Sequence, residues 1–310
     1  MIPTRNEAGP VSKPRASLLA LCLFAGLGCA SMDRVSSTPV DDAPGAAGSL
    51  ASSGLSGIPF GTFAQPLTLY GPIYTGGHLN PENPDFLLSR LATIRAAGAR
   101  VVLALAGGPL GFTNADGTFN FELWKGRLDR YSVIDFNSYI SDGTIIGVFL
   151  IDEPSCSTCW GGQVIPQGTV EAMAQYSKSI WPTMTTIARV DPTWLKEFSG
   201  EYVYLDAGWA QYVVRKGDVN TYLSGNVAAA QSKGLGVIVG LNLLEGGLNR
   251  ASLTGSQIKN FGSVLLGSSY GCAFISWKYD EAYFSRSDIR SALEMLSKKA
   301  KRHARTVCSQ

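Results

Sequence analysis

The sequence predicts an α/β fold, a TIM-type (β/α)8 barrel, on three observations. Short apolar runs alternate with helical patterns from about residue 57 onward, as the βα units of a parallel sheet require. Several of these runs, such as Val101-Val102-Leu103-Ala104-Leu105-Ala106, are apolar at every position, the pattern of strands covered on both faces. The chain has 310 residues, enough for one barrel of about 250 residues behind an N-terminal extension.

That extension, residues 1–30, reads as a signal segment. Arg5, Lys13 and Arg15 precede the apolar run from Leu18 to Leu27, which is too short for a permanent bilayer span. Two processing readings stand open. Cleavage after Ala30 gives a secreted or periplasmic protein. Cleavage before Cys29 gives one lipid-anchored at the cell surface, since Gly26-Leu27-Gly28-Cys29 resembles a bacterial lipobox apart from Gly26, where an aliphatic residue is usual. Residues 31–55, rich in Ser, Ala, Gly and Pro, read as a flexible tether, and residues 56–310 as the barrel domain.

Within the barrel the strand candidates are Ile58–Phe63, Val101–Ala106, Ile145–Ile151, Met184–Val190, Tyr202–Ala207, Val237–Leu243 and Cys272–Trp277. Between them, Asn83-Pro84 forms a cap and first-turn pair, Leu87, Leu91 and Ile94 share a face, and Gly98 supplies the stop. Further helices are expected over Val170–Ile180, Val219–Lys233 and Ile258–Leu266, and from Ser287, with Ile289, Leu293 and Leu296 at core spacing. The count is seven strands, one short of a full barrel; the stretch 109–144 carries helical patterns and no clear strand. An irregular eighth strand or an incomplete barrel is therefore expected. Gly76-Gly77 and Gly107-Gly108 read as turn glycines, with neither a dinucleotide fingerprint nor a P-loop around them.

Composition excludes several chemistries. A net charge of +2 argues against a nucleic-acid surface, and the basic run from Lys298 to Arg305 fits a solvated helix C-terminus. The only histidines are His78 and His303, so a Ser-His-Asp triad would have to draw on His78, and neither a His-rich zinc site nor an HExxH helix can be built. No cofactor or metal motif is visible. Past the leader the cysteines are Cys156, Cys159, Cys272 and Cys308. Export permits disulfides: a small loop bond Cys156–Cys159 is expected, and a Cys272–Cys308 bond at the N-terminal face of the barrel.

The functional face of such a barrel lies at the C-terminal ends of its strands. Reading past each strand gives Gln65, Asp152-Glu153, Arg189, Asp206, Asn242 with Glu245, and Trp277-Lys278-Tyr279-Asp280. Apolar strands that end repeatedly in carboxylate, amide, guanidinium or indole describe a polar pocket above an apolar barrel. A carboxyl shielded there by loops suits general-acid work, and Glu153 is the leading candidate, with Pro154 stiffening the turn that aims it. Asp152 leaves the strand on the other side. Asp206 or Glu245 would supply the second carboxylate that glycoside hydrolysis needs. Arg189 and Asn242 would bond sugar hydroxyls, with Asp152, Lys278 and Asp280 as further contacts. Trp277 would stack on a sugar ring, its N–H still free to donate.

The segments Gly147-Val148-Phe149-Leu150-Ile151-Asp152-Glu153-Pro154 and Phe274-Ile275-Ser276-Trp277 resemble those of glycoside-hydrolase-type TIM barrels. The resemblance implies a proton donor at the end of a middle strand and an aromatic residue under a sugar subsite on a late one. The best-known retaining clan carries Asn-Glu at the fourth strand and a nucleophilic Glu at the seventh; here Asp-Glu follows the third counted strand, and no Glu ends the seventh. The expected function is hydrolysis of an oligo- or polysaccharide outside the cytoplasm. Two rivals predict different outcomes: a barrel that binds glycans without cleaving them, and a lyase or aldolase using Lys278 as a Schiff-base lysine.

Overall fold

The computed structural model describes residues 56–81, 83–304 and 307–309. The signal segment with Cys29 and the whole of the tether lie outside the described residues. Eight parallel strands form one sheet: β1 (Phe60–Thr62), β2 (Gly76–Leu79), β3 (Arg100–Leu103), β4 (Ile145–Asp152), β5 (Thr186–Arg189), β6 (Ala207–Tyr212), β7 (Gly236–Leu241) and β8 (Gly271–Ser276). Each pairs with its neighbour in sequence from β2 to β8, and β8 pairs with β1. The seam between β1 and β2 is held by one bridge just past β1, Phe63 to His78, so the barrel is nearly closed.

Helices α1 (Leu87–Ala96), α2 (Phe121–Asp129), α3 (Asn137–Ser141), α4 (Gln167–Ile180), α5 (Pro192–Leu195), α6 (Val219–Ser232), α7 (Gly255–Leu265), α8 (Glu281–Phe284) and α9 (Ser287–Lys301) occupy the connections. Their caps follow local chemistry: Asp218 accepts from the Asn220 and Thr221 amides at the start of α6, and Thr254 and Gln257 form a reciprocal capping box on α7. Gly98, at φ 64°, ends α1 in the left-handed conformation. The apolar faces of these helices close one core against the outside of the strands, where Leu91, Ile94, Met173, Ile258, Leu293 and Leu296 are buried with Leu103, Leu150 and Val239. A second cluster fills the barrel interior, including Val102, Phe149, Ile187, Trp209, Ile238 and Ile275. Among the described residues no helix is long and apolar enough to cross a membrane.

Two sequence expectations need correction. The strand missing from the count is β2, Gly76–Leu79, and it lies before the stretch 109–144, which holds α2 and α3. Its Gly76-Gly77 pair is strand backbone and not a turn. A Cβ on Gly61 would lie 1.8 Å from the Gly76 carbonyl oxygen, and one on Gly76 2.4 Å from the Pro59 Cβ. Glycine is required there for close backbone approach, which removes the apolar signal of a strand. The second correction concerns Tyr202–Ala207. The amides of Val203, Tyr204 and Leu205 donate to the Glu171 carboxylate at 2.8, 2.8 and 3.0 Å, so this run is a loop and the strand begins at Ala207.

Both expected disulfides are present. Cys156–Cys159 closes the loop after β4 with its Cα atoms 5.3 Å apart. Cys272 at the start of β8 bonds Cys308 beyond α9, Cα to Cα 5.0 Å, tying the C-terminal segment to the N-terminal face of the barrel.

Candidate functional site at the barrel mouth

With β2 counted, Asp152-Glu153 ends the fourth strand. Glu153 has φ 42°, a left-handed conformation that costs an L-residue about 1–2 kcal/mol. Hydrogen bonds hold it there from both sides. Its N–H donates to the Arg189 carbonyl at 2.9 Å, and its carbonyl accepts from the Cys156 amide at 2.9 Å and the Trp160 indole at 3.1 Å. The Cys156 bond closes a turn over Glu153-Pro154-Ser155-Cys156, with proline at the position whose φ it presets. The strand thus turns sharply at Glu153 and delivers its carboxylate, 52% exposed, to the mouth.

Arg189, at the end of β5, organises the groups around it. Its side chain is only 8% exposed. The guanidinium pairs with Asp152, reaches Glu153 at 3.5 Å, and donates to Gln211 Oε1 at 2.6 Å; Gln211 is fixed in turn by the Leu241 carbonyl. Burial pushes the Asp152 carboxyl above its ordinary value, an effect that Arg189 opposes and Glu153 reinforces. On the Glu153 side, a polar pocket of about 310 Å³ is lined by Glu153, Arg189, Asp191, Gln211, Arg215 and Lys216, with Trp209 and Cys156 in its wall. Asp191 accepts from Lys216 Nζ and from the Tyr222 hydroxyl, both at 2.6 Å. Both bonds fix the position of its carboxylate in the pocket.

Asp152 faces a different space. An apolar cavity of about 160 Å³ lies on its side of β4, lined by Phe63, Phe112, Phe149, Trp160 and Trp277, with His78 and Asn80. His78 stacks on Phe63 at 4.0 Å between ring centroids and meets the edge of Phe149 at 4.9 Å. Burial, then the Arg189 charge, drives its pKa down to about 3, so the imidazole is neutral at ordinary pH. Arg189 lies 5.1 Å from the Trp277 ring centroid and 5.6 Å from that of Phe63, joining the two spaces across the mouth.

The structure therefore brings Asp152, Glu153, Arg189 and Trp277 together and separates the other expected residues. Asp206 is at the opposite end of the barrel, because the strand it was expected to end starts just after it. Its carboxylate accepts from the Thr186 amide at 2.7 Å and pairs with Lys178 at 2.8 Å, where β5 begins. Glu245 is on the mouth side, four residues past β7, but it is exposed and lines neither space. Asn242 accepts from the Glu245 amide at 2.9 Å and shapes that loop. Asp280 caps α8 through the Tyr283 amide at 2.8 Å. Lys278 is exposed, its ammonium 5.8 Å from the Trp277 ring centroid, without the desolvation that activates a Schiff-base lysine.

The sequence reading missed Asp191, Gln211 and Lys216, and gave His78 no place at the mouth. Asp191 follows Arg189 by two residues and was within reach of the strand-end argument; Gln211 was hidden by the misplacement of β6. Glu153, Cys156 and Cys159 bring three potential ligand atoms within 4.8 Å of one another. The two sulfurs are bonded to each other, which removes the thiolates a soft cation needs.

No protein-family model matches the chain, and no curated protein matches it in sequence. Among solved structures, the chain resembles many glycoside hydrolase TIM barrels. It is similar to an exo-β-1,4-mannosidase from Opitutaceae bacterium strain TAV5 (13% identity, 79% of this chain, 59% of that chain, TM-score 0.51). Xylanase 10B from Thermotoga petrophila RKU-1, solved with xylobiose, is also similar (10% identity, 80% of this chain, 95% of that chain, TM-score 0.50). So is a β-glucuronidase from an uncultured Clostridium species (10% identity, 79% of this chain, 50% of that chain, TM-score 0.50). At these identities the likeness establishes the barrel fold, and chemistry has to be argued from the mouth itself.

Proposed function

We propose that the protein is a glycoside hydrolase acting on an oligo- or polysaccharide outside the cytoplasm, with Glu153 as general acid. The observation that carries this reading is the left-handed backbone of Glu153 at the end of β4. A non-glycine residue held in a costly conformation by hydrogen bonds on both sides, its carboxylate facing a polar pocket, is a common mark of a functional site. The leader pattern and the two disulfides support the extracytoplasmic part.

Asp191 is the second carboxylate in this reading. It shares the polar pocket with Glu153, and its Lys216 and Tyr222 partners hold its carboxylate in place, as a base that positions water requires. Arg189 holds Asp152 and Glu153 in place, and Trp277 offers an aromatic face. Glu245 is the competing second carboxylate, on the loop after β7.

The test is turnover of a glycan panel by the wild type and by Glu153→Gln, Asp191→Asn and Glu245→Gln. Loss of a general acid typically costs about 10²–10⁴-fold. A glycan-cleaving wild type that loses less than about tenfold in Glu153→Gln refutes the assignment. Loss in Glu245→Gln with Asp191→Asn unaffected moves the second carboxylate to the β7 loop. A second reading, glycan binding without cleavage, is favoured by the engagement of Asp152 with Arg189 and of Asp191 with Lys216. It expects saturable binding, lost in Trp277→Ala, with no products.

A further inference from the structure

The two spaces at the mouth differ in what they can bind. The polar pocket offers carboxylates, guanidinium groups, an ammonium and an amide, the groups a polyhydroxylated sugar needs. The cavity on the Asp152 side does not. Five of its side chains are Phe or Trp, and Ala104, Gly107, Gly108 and Pro109 complete much of its wall. Its polar groups are few and mostly committed. Asp152 pairs with Arg189, the Trp160 indole donates to the Glu153 carbonyl, and His78 Nε2 is buried without a hydrogen-bond partner. A pyranose enclosed here would place several hydroxyls against rings and methyls, and each unpaired hydroxyl costs about 1–3 kcal/mol. The volume, about 160 Å³, is close to that of an apolar cavity known to bind benzene, on the order of 150 Å³.

We propose that this cavity is a binding site for an apolar, ring-sized group. Given the hydrolase reading above, on which this last step rests, that group is the aglycone of a hydrophobic glycoside. Its sugar would lie in the polar pocket and its glycosidic oxygen near the Asp152-Glu153 turn. β4 ends at Asp152 and the chain turns sharply at Glu153, which is how one dipeptide borders both spaces. The neutral imidazole of His78 adds no charge to the cavity, as an apolar guest requires.

The probe is p-nitrophenol, measured by isothermal titration calorimetry on the full chain, with glucose and cellobiose as polar comparators. One saturable site is expected, with glucose and cellobiose failing to displace the phenol. Ala104→Leu should weaken phenol binding at least tenfold by filling the cavity. Gly108→Leu is the second variant, because Gly108 lines the cavity, has an ordinary extended backbone (φ −80°, ψ 161°) and has open space at its Cβ position. It should weaken binding at least tenfold without affecting folding. Glu153→Gln should leave phenol binding within twofold of the wild type. Absence of saturable binding, displacement by glucose, or unchanged affinity in both cavity variants overturns the proposal. The two readings fail separately. Phenol binding without cleavage of any glycoside sinks the hydrolase assignment and leaves the cavity site, while glycan cleavage without phenol binding does the reverse.

Discussion

The left-handed backbone at Glu153 can be tested by comparing two substitutions that remove the same carboxylate. Glu153→Ala and Glu153→Gly both lose the 3.5 Å contact with Arg189, so that loss cancels between them. They differ in backbone. Alanine has to occupy φ 42° with a Cβ, at a cost of about 1–2 kcal/mol, whereas glycine occupies it freely. Against this, glycine gives up about 0.5–1 kcal/mol more conformational entropy on folding. The net expectation is that the glycine variant is the more stable by about 1 kcal/mol, the reverse of the order at an ordinary strand or helix position. In a domain of this size that corresponds to about 2–4 °C in Tm. The assay is thermal unfolding followed by circular dichroism at neutral pH, with denaturant titration confirming equal m-values. An alanine variant as stable as the glycine variant, or more so, would show that Glu153 is not held left-handed in solution, and the argument from strain would fail. Both variants should lack glycan turnover.

Other expectations follow from the same geometry. His78 has its pKa lowered from 6.5 to about 3, so the unfolded chain binds the extra proton between those values. Its stabilising contribution is complete above pH 6.5 and is lost as pH falls towards 3. Between pH 6.5 and 4.5 the loss is about 2 kcal/mol, and His78→Phe should flatten the decline in Tm; an equally steep decline in the variant counts against a buried neutral imidazole. Opening the Cys272–Cys308 bond, whose cysteines are 36 residues apart, should cost about 4 kcal/mol by loop-closure entropy, measured as a lower denaturation midpoint for Cys272→Ser with Cys308→Ser. Asp206→Asn should lower stability by about 1–2 kcal/mol through its Thr186 and Lys178 contacts. Its turnover per folded molecule should stay within twofold, and a tenfold loss would return Asp206 to the catalytic machinery.

Much of the site was legible because strand ends in a barrel are functional positions by construction. Asp152 and Glu153 follow an apolar strand and Arg189 ends the next one, and their meeting in one cluster is the consequence of parallel neighbours ending at one face. Trp277 joined them for the same reason. Asp206 failed because Tyr202–Leu205 looks like a strand in isolation, whereas the Glu171 carboxylate, 32 residues or more away, captures its amides. Local pattern cannot register such a competitor. Strand β2 failed for a related reason: Gly61 and Gly76 serve a close approach between β1 and β2, a demand that exists only once both strands are in place.

The sequence by itself determined the alternation of strands and helices, both disulfide pairings and the placing of a carboxylate at the end of a middle strand. These follow from short-range periodicity and from the directionality of parallel strands. Tertiary structure alone decided that this strand is the fourth, that Asp206 lies at the far end, and that Gln211 and His78 belong to the mouth. It also divided the mouth into a polar pocket on the Glu153 side and an apolar cavity on the Asp152 side. That division depends on which side chains from β1, β2, β4, β5, β6 and β8 converge in space, and convergence across the barrel leaves no trace in the spacing of residues along any one strand.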